Sequence, residues 1–154
     1  FGVVPVESQH CIPRGATRGA SRDNTKHERR LRIARQAMQQ SGSPVAPEIN
    51  NTIPFSGFPA VWEHYQAGIH EDKVAGLFFH QVPIGDMSLE VILSVNPKLI
   101  GIFIGPEGGF SEKEVTTLLQ SSFQPVYIRT NVLRTETAAL YAIAAVQTIV
   151  NMPE

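Results

Sequence analysis

The hydrophobic pattern along the chain alternates between short apolar runs and longer stretches with helical spacing. Five apolar runs have the length and composition of buried strands. They are Gly2–Val6, Val45–Ile49, Val74–Phe79, Leu99–Ile104 and Pro125–Ile128. Because strands that alternate with helices form parallel sheets with helical layers, the pattern predicts an α/β fold. We expect a mostly parallel sheet with helices on both faces.

Helical segments fall between these strands. They are predicted over about Lys26 to Gln40, Phe58 to Gln66, Ser88 to Val95, from Ser111 onward, and Thr135 to Val150. Two of them begin with the spacing of a capping box, Thr25 with Glu28 and Ser111 with Glu114. The last segment is apolar around most of its circumference, so we expect it to be covered in a core or in a subunit interface.

The length of 154 residues favours one domain over residues 1–154. The single cysteine, Cys11, excludes an internal disulfide and fits a reducing compartment. No signal peptide or membrane span is visible, so a cytoplasmic location is expected. The chain begins at Phe1, and we expect the N-terminal part of a longer protein to be missing. His64, His70 and His80 lack the spacing of metal ligands, and no metal is predicted.

The charge is distributed unevenly. The net charge is −1, yet the segment from Arg14 to Gln36 holds eight Lys or Arg residues against two acidic ones. Arg29, Arg32 and Arg35 cluster on the predicted helix, on the arc opposite its apolar side. A basic face of this kind favours a polyanionic partner such as nucleic acid, the alternative being a solvated surface.

The candidate chemistry lies in two loops, each of which follows a strand and opens a helix. Gly105 to Ser111 is rich in glycine, so its backbone N–H groups are able to approach a ligand, and the helix that follows adds partial positive charge. Val132 to Ala138 opens the last helix in the same way. In parallel sheets such loops meet at the carboxyl ends of the strands. The two loops predict a ligand that is held mainly by backbone groups. For the loop from Gly105 to Ser111, the alternative is a tight turn that binds no ligand. The glycine spacing matches neither a dinucleotide-binding loop nor a P-loop.

These motifs resemble one known family. Gly105 to Ser111, together with Leu133-Arg134-Thr135-Glu136-Thr137-Ala138, is similar to the bacterial 16S ribosomal RNA uridine-N3 methyltransferases of the SPOUT superfamily. The helix end Gln39-Gln40-Ser41-Gly42 and the following Pro47-Glu48-Ile49 also resemble that family. The resemblance covers most of the chain from about Lys26 onward.

The resemblance implies a fold and a cofactor. It implies a parallel sheet whose C-terminal part is tied in a deep trefoil knot, a homodimer formed through the last helix, and S-adenosylmethionine held between three loops. The cofactor-binding residues it implies are Phe79, His80, Ile104, Gly105, Glu107, Gly108, Gly109, Ile128, Val132, Leu133 and Thr137.

The resemblance also implies a substrate, a ribosomal RNA or the small ribosomal subunit. Methylation at N3 of uracil requires loss of the N3 proton. A cation that favours the anionic base would therefore assist the reaction. Arg134 is the candidate for this role, with Glu107 or Glu136 to orient it or accept the proton, and Arg29, Arg32 and Arg35 are the candidates for binding RNA phosphates.

The chain departs from the family at specific positions. The family usually has Leu-Gly-x-Arg where this chain has Ile128, Arg129, Thr130 and Asn131. The family's N-terminal PUA-like RNA-binding barrel is expected to be absent from this chain. Three alternatives therefore stay open: a SPOUT methyltransferase acting on another position such as a ribose 2′-hydroxyl, a non-catalytic RNA- or cofactor-binding module, and an unrelated nucleotide-phosphate-binding domain.

Overall fold

The structure is a computed structural model that describes residues 1–11, 20–80, 82–85, 87–127 and 133–151, with the side chains of residues 20–22 left aside. The described residues form two compact units. One contains residues 1–7 and 20–56, and the other contains residues 8–11 and the described residues from 57 onward.

The first unit contains four very short strands and one long helix. Strand β1 (Gly2–Val3) pairs in parallel with β3 (Glu48–Ile49), and β2 (Val6–Glu7) pairs in parallel with β4 (Ile53–Pro54). The predicted strand Gly2–Val6 is therefore wrong as a single element. Pro5, which has no N–H, interrupts it, and its carbonyl accepts from the N–H of Ile53.

The long helix α1 (Ala20–Ser41) begins six residues before the predicted start at Lys26. Thr25 lies inside the helix, so the capping box predicted there is wrong. The predicted end is confirmed, because the helix stops before Gly42, which has a φ of +67°. The half-buried side chains at His27, Leu31, Ala34 and Met38 lie at helical spacing on one face.

The second unit is built on a three-stranded parallel sheet. Strand β5 (Val74–His80) lies in the middle, with β6 (Leu99–Ile104) on one side and β7 (Phe123–Tyr127) on the other. These strands lie within one or two residues of their predicted bounds wherever the chain is described. The prediction of one mostly parallel sheet is correct in strand direction. The described strands nevertheless form three separate sheets, because the two-residue strands of the first unit pair only with each other.

Helices lie on both faces of this sheet. On one face, Ala75, Leu77 and Val126 pack with residues of α3 (Leu89–Leu93) and α5 (Thr135–Val150). On the other face, the aromatic side chains of α2 (Phe58–Gln66) meet those of the strands, with Trp62 and Phe123 4.8 Å apart between ring centroids. Gly101 permits this close packing, because a Cβ there would lie 2.6 Å from the Trp62 ring.

Two further helix boundaries position the site. Helix α4 (Glu112–Gln120) begins with the predicted capping box of Ser111 and Glu114, which is confirmed. Helix α5 has its predicted bounds. Its surface is only partly covered, since Ala142 and Val146 are buried whereas Leu140 is 71% exposed.

Candidate functional site

The ends of the three long strands define one edge of the sheet. The parallel register pairs Phe79 with Ile104 and His80 with Tyr127, so β5, β6 and β7 end side by side. The predicted site residues Phe79, His80, Ile104 and Gly105 are therefore brought together, as expected for the carboxyl ends of parallel strands.

The glycine loop, residues 105–111, leaves this edge as a tight turn. The N–H of Gly109 donates to the Pro106 carbonyl at 2.9 Å, and Gly109 has a φ of +71°, which favours glycine. Gly105 lies under the ring of Phe110. A Cβ on Gly105 would be 3.0 Å from the nearest atom of that ring. The loop is therefore fixed by its own backbone and by a buried aromatic ring.

Phe110 connects the glycine loop to the end of β5. Its ring is 8% exposed and stacks on that of His80, with centroids 6.4 Å apart and planes 16° apart. It also meets Phe78 and Phe103 edge to face. The Val82 N–H donates to Nδ1 of His80 at 3.2 Å. The two contacts of His80, with the Phe110 ring and with the Val82 N–H, restrict the chain where β5 leaves the sheet.

The start of α5 joins the same edge. The Thr135 hydroxyl donates to the carbonyl of Gly105 at 3.2 Å, a bond that links residues 30 positions apart. Arg134 is the N-cap residue of α5 and Glu136 lies in its first turn. The two motifs that the sequence singled out are thus adjacent in space.

A buried carboxylate fixes the end of the glycine loop. Glu114 is 5% exposed and accepts from the N–H of Ser111 at 2.9 Å and from the N–H of Gln9 at 2.9 Å. Burial acts to raise the pKa of Glu114, but these hydrogen bonds outweigh it and leave the pKa below its ordinary value of 4.5. The carboxylate is therefore charged at neutral pH and ties residues 8–11 to the loop.

The side chains proposed for chemistry are exposed to solvent. Glu107, Arg134, Glu136 and Thr137 are exposed, whereas Leu133 is half-buried. Ile128 and Val132 of the predicted cofactor-binding set lie outside the described residues, as do Arg129 and Asn131, which depart from the family pattern.

The basic face of α1 lies in the first unit. Arg29, Arg32 and Arg35 are exposed, and among the described residues none of them has an ion-pair or hydrogen-bond partner. Arg30 differs, because it is half-buried and donates to the Thr52 hydroxyl at 3.0 Å. The helix thus uses Arg30 for its own packing, whereas the side chains of Arg29, Arg32 and Arg35 are left for solvent or a partner.

The sequence reasoning missed three contributors to the edge. Phe110, Thr135 and the backbone around Gln9 were not among the predicted site residues. Phe110 directly follows two glycines of the loop that the sequence singled out, so its position was a signal for it. The Gln9 and Thr135 contacts join distant parts of the chain, and no local pattern predicts them.

Two classes of site find no support in the described ranges. No group of three or more His, Cys, Asp or Glu residues there is placed to hold a metal ion. No helix there is long and apolar enough to cross a bilayer.

Comparison with known proteins places the chain in a family. Residues 2–147 match the family described as RNA methyltransferase domain. The Ribosomal RNA small subunit methyltransferase E of Aquifex aeolicus is 31% identical over 119 residues, which are 77% of this chain and 46% of that protein. The protein of the same name from Bacillus subtilis is 31% identical over 124 residues, 79% of this chain and 46% of that protein. The chain thus spans about half the length of the curated relatives it matches.

Solved structures agree with this match. The Ribosomal RNA small subunit methyltransferase E of Neisseria gonorrhoeae, bound to S-adenosylmethionine, superposes with a TM-score of 0.75 at 27% identity. The match covers 96% of this chain and 54% of that one. A putative methyltransferase of Legionella pneumophila, also in complex with S-adenosylmethionine, gives 0.73 at 26% identity, over 94% and 54% of the two chains. The chain therefore belongs to the RNA methyltransferase domain family.

Proposed function

We propose that this chain is the catalytic domain of an S-adenosylmethionine-dependent methyltransferase that modifies N3 of a uridine in small-subunit ribosomal RNA. The observation that carries the proposal is the sheet edge where the glycine loop and the start of α5 are joined by the Thr135–Gly105 hydrogen bond. Two related proteins of this fold hold S-adenosylmethionine.

The residues at this edge fit a ligand held by backbone. Gly109 has no side chain to obstruct a ligand, and a Cβ there would meet nothing within 4 Å. The N-terminus of α4 adds partial positive charge beside this glycine. The residues we assign to the cofactor are Phe79, His80, Ile104, Gly105, Glu107, Gly108, Gly109, Ile128, Val132, Leu133 and Thr137. When bound, the cofactor supplies an electrophilic methyl group.

The protein's own side chains prepare the base. N3 of uracil lies on the Watson–Crick edge, so the target base must be unpaired or turned out of a helix to react. Arg134 is exposed beside the glycine loop, where its cation favours the anionic form of uracil. We assign Glu107 or Glu136, both exposed near the same edge, to orient Arg134 or accept the N3 proton.

We assign RNA binding to the basic face of α1. Arg29, Arg32 and Arg35 are exposed and without acidic partners among the described side chains, which leaves three cations for phosphates. Phosphate contacts of this kind give affinity that falls with salt.

We assign a homodimer interface to α5. Leu140 is 71% exposed, Tyr141 47%, Ile143 37% and Val150 43%. Three of these, Leu140, Ile143 and Val150, recur at helical spacing and form an apolar stripe. Such a stripe is typical of a surface that a second subunit covers.

We further propose that the C-terminal part of the chain is knotted, as the SPOUT resemblance implies. The adjacency of residues 105–111 and 133–137 is what a knotted arrangement of these loops requires. An experimental trace through residues 128–132 tests this, and a chain that threads no loop would contradict it.

The function is tested by methyl transfer from labelled S-adenosylmethionine to small ribosomal subunits, followed by nucleoside analysis. The proposal predicts 3-methyluridine, and Arg134→Ala is expected to bind the cofactor normally but to lose most transfer. A 2′-O-methylated product would assign the chain to another SPOUT specificity. Cofactor binding without transfer would favour a non-catalytic module, in keeping with Arg129 and Asn131.

A further inference from the structure

The four residues Ser8–Cys11 pack away from their neighbours in the chain. Residues 1–7 and 20–56 belong to the first compact unit, whereas Ser8–Cys11 belong to the second, together with the glycine loop. A short segment that leaves its own unit needs specific contacts to hold it, because ordering each residue costs about 1–2 kcal/mol in backbone entropy.

Those contacts are directed to the C-terminal half of the glycine loop, from Gly108 to Ser111. Nδ1 of His10 lies 3.1 Å from the Gly109 carbonyl, which fixes the proton on Nδ1 because a carbonyl only accepts. The Gln9 N–H donates to Oε1 of Glu114, whose Oε2 accepts from the N–H and the hydroxyl of Ser111. Glu114 therefore bridges the segment and the end of the loop.

Packing supports the hydrogen bonds. A Cβ on Gly108 would lie 3.0 Å from Cβ of His10 and 3.6 Å from its carbonyl oxygen. The absence of a side chain at position 108 thus allows the segment to lie directly on the loop. Gly109, whose carbonyl His10 contacts, has a φ of +71°.

We propose that Ser8–Cys11 acts as a brace that holds the glycine loop in its binding conformation, with His10 as a positioning residue. The inference rests on the proposed function for its ligand, S-adenosylmethionine, although the brace itself is a property of the protein alone. A loop held in place before binding pays less ordering entropy when the ligand arrives, so the brace raises cofactor affinity.

Two readouts on the full chain test the brace. The first is amide hydrogen exchange of residues 105–111 without ligand, and the second is calorimetric affinity for S-adenosylmethionine. His10→Ala removes the donor, whereas His10→Asn offers an amide N–H in nearly the same place as Nδ1. His70→Ala, at an exposed histidine far from the loop in sequence, is the matched control.

We expect His10→Ala to speed exchange in the loop and to weaken cofactor binding about three- to tenfold, the range for loss of one hydrogen bond. Its melting temperature should stay close to that of His70→Ala, and His10→Asn should restore both readouts. Unchanged exchange in His10→Ala, or equal damage in His10→Asn, would overturn the proposal. If the parent chain binds no S-adenosylmethionine, the proposed function fails, while loop exchange still decides the brace.

Discussion

At the scale of single residues, Glu114 shows how the site and the stability of the fold share one group. Its carboxylate is buried, yet its pKa lies below the ordinary value because N–H groups of Ser111 and Gln9 donate to it. A carboxylate with a lowered pKa stabilises the folded state where it is charged. The contribution is therefore complete above pH 4.5 and is lost as the pH falls through the lower pKa of the folded state.

Glu114→Gln is expected to lower the free energy of unfolding by about 1.5–3 kcal/mol at pH 7, the range for hydrogen bonds to a charged group. The difference from the parent should shrink as the pH falls below 4.5, because the unfolded parent then binds a proton that the folded carboxylate, with its lower pKa, does not yet bind. Urea unfolding from about pH 7 to about pH 3.5 measures this. Glu112→Gln, exposed in the same helical turn, is the control, and a pH-independent difference for Glu114→Gln would contradict the account.

Gly101 provides a second residue-scale prediction. Gly101→Ala is expected to destabilise the protein by about 1–3 kcal/mol, because its methyl group would lie 2.6 Å from the Trp62 ring. Thermal unfolding measures the loss. Trp62→Leu removes the ring. In the double variant, the loss of stability should therefore be smaller than the sum of the losses in the two single variants. Full additivity would show that the contact is not the cause.

At the scale of elements, local sequence signals predicted those parts of the fold that local energetics decide. The bounds of α2, β6 and α5 were predicted correctly, since the spacing of their apolar residues marks them. The start of α1 was missed, because Thr25 has the chemistry of a cap but lies within a helix that begins earlier. A capping side chain permits a helix start without requiring one.

In the candidate site too, the sequence predicted the features that local signals decide and missed those that depend on long-range packing. The glycine loop and the start of α5 were found from sequence, since glycine runs and strand–loop–helix order are local. Their connection through Thr135 and Gly105, and the contact of Gln9 with Glu114, depend on how distant segments pack. No periodicity encodes such pairs.

The basic face of α1 carries the element-scale prediction. Arg32→Glu with Arg35→Glu is expected to weaken binding to ribosomal RNA and to reduce the dependence of log Kd on log salt by about two, one for each phosphate that an arginine no longer neutralises. Binding isotherms across a salt series measure both. Lys98→Glu with Lys113→Glu changes the net charge equally on exposed residues elsewhere and should have less effect. Equal weakening in the two variants would mean that only net charge matters.

At the scale of the whole molecule, the exposed stripe on α5 predicts self-association. Analytical ultracentrifugation should give twice the mass of the chain. Leu140→Asp with Ile143→Asp should give a monomer, because two carboxylates would be buried unpaired in the interface. Leu119→Asp, at a leucine of α4 that is 45% exposed, is the control and should stay dimeric. A monomeric parent chain would contradict the assignment.

The central claim is that the edge formed by the ends of β5, β6 and β7 binds S-adenosylmethionine. Calorimetric titration of the chain with S-adenosylmethionine, with ATP as the control ligand, tests it most directly. The account predicts saturable binding of S-adenosylmethionine with one site per chain and no comparable binding of ATP. No binding of S-adenosylmethionine, or a preference for ATP, would contradict it.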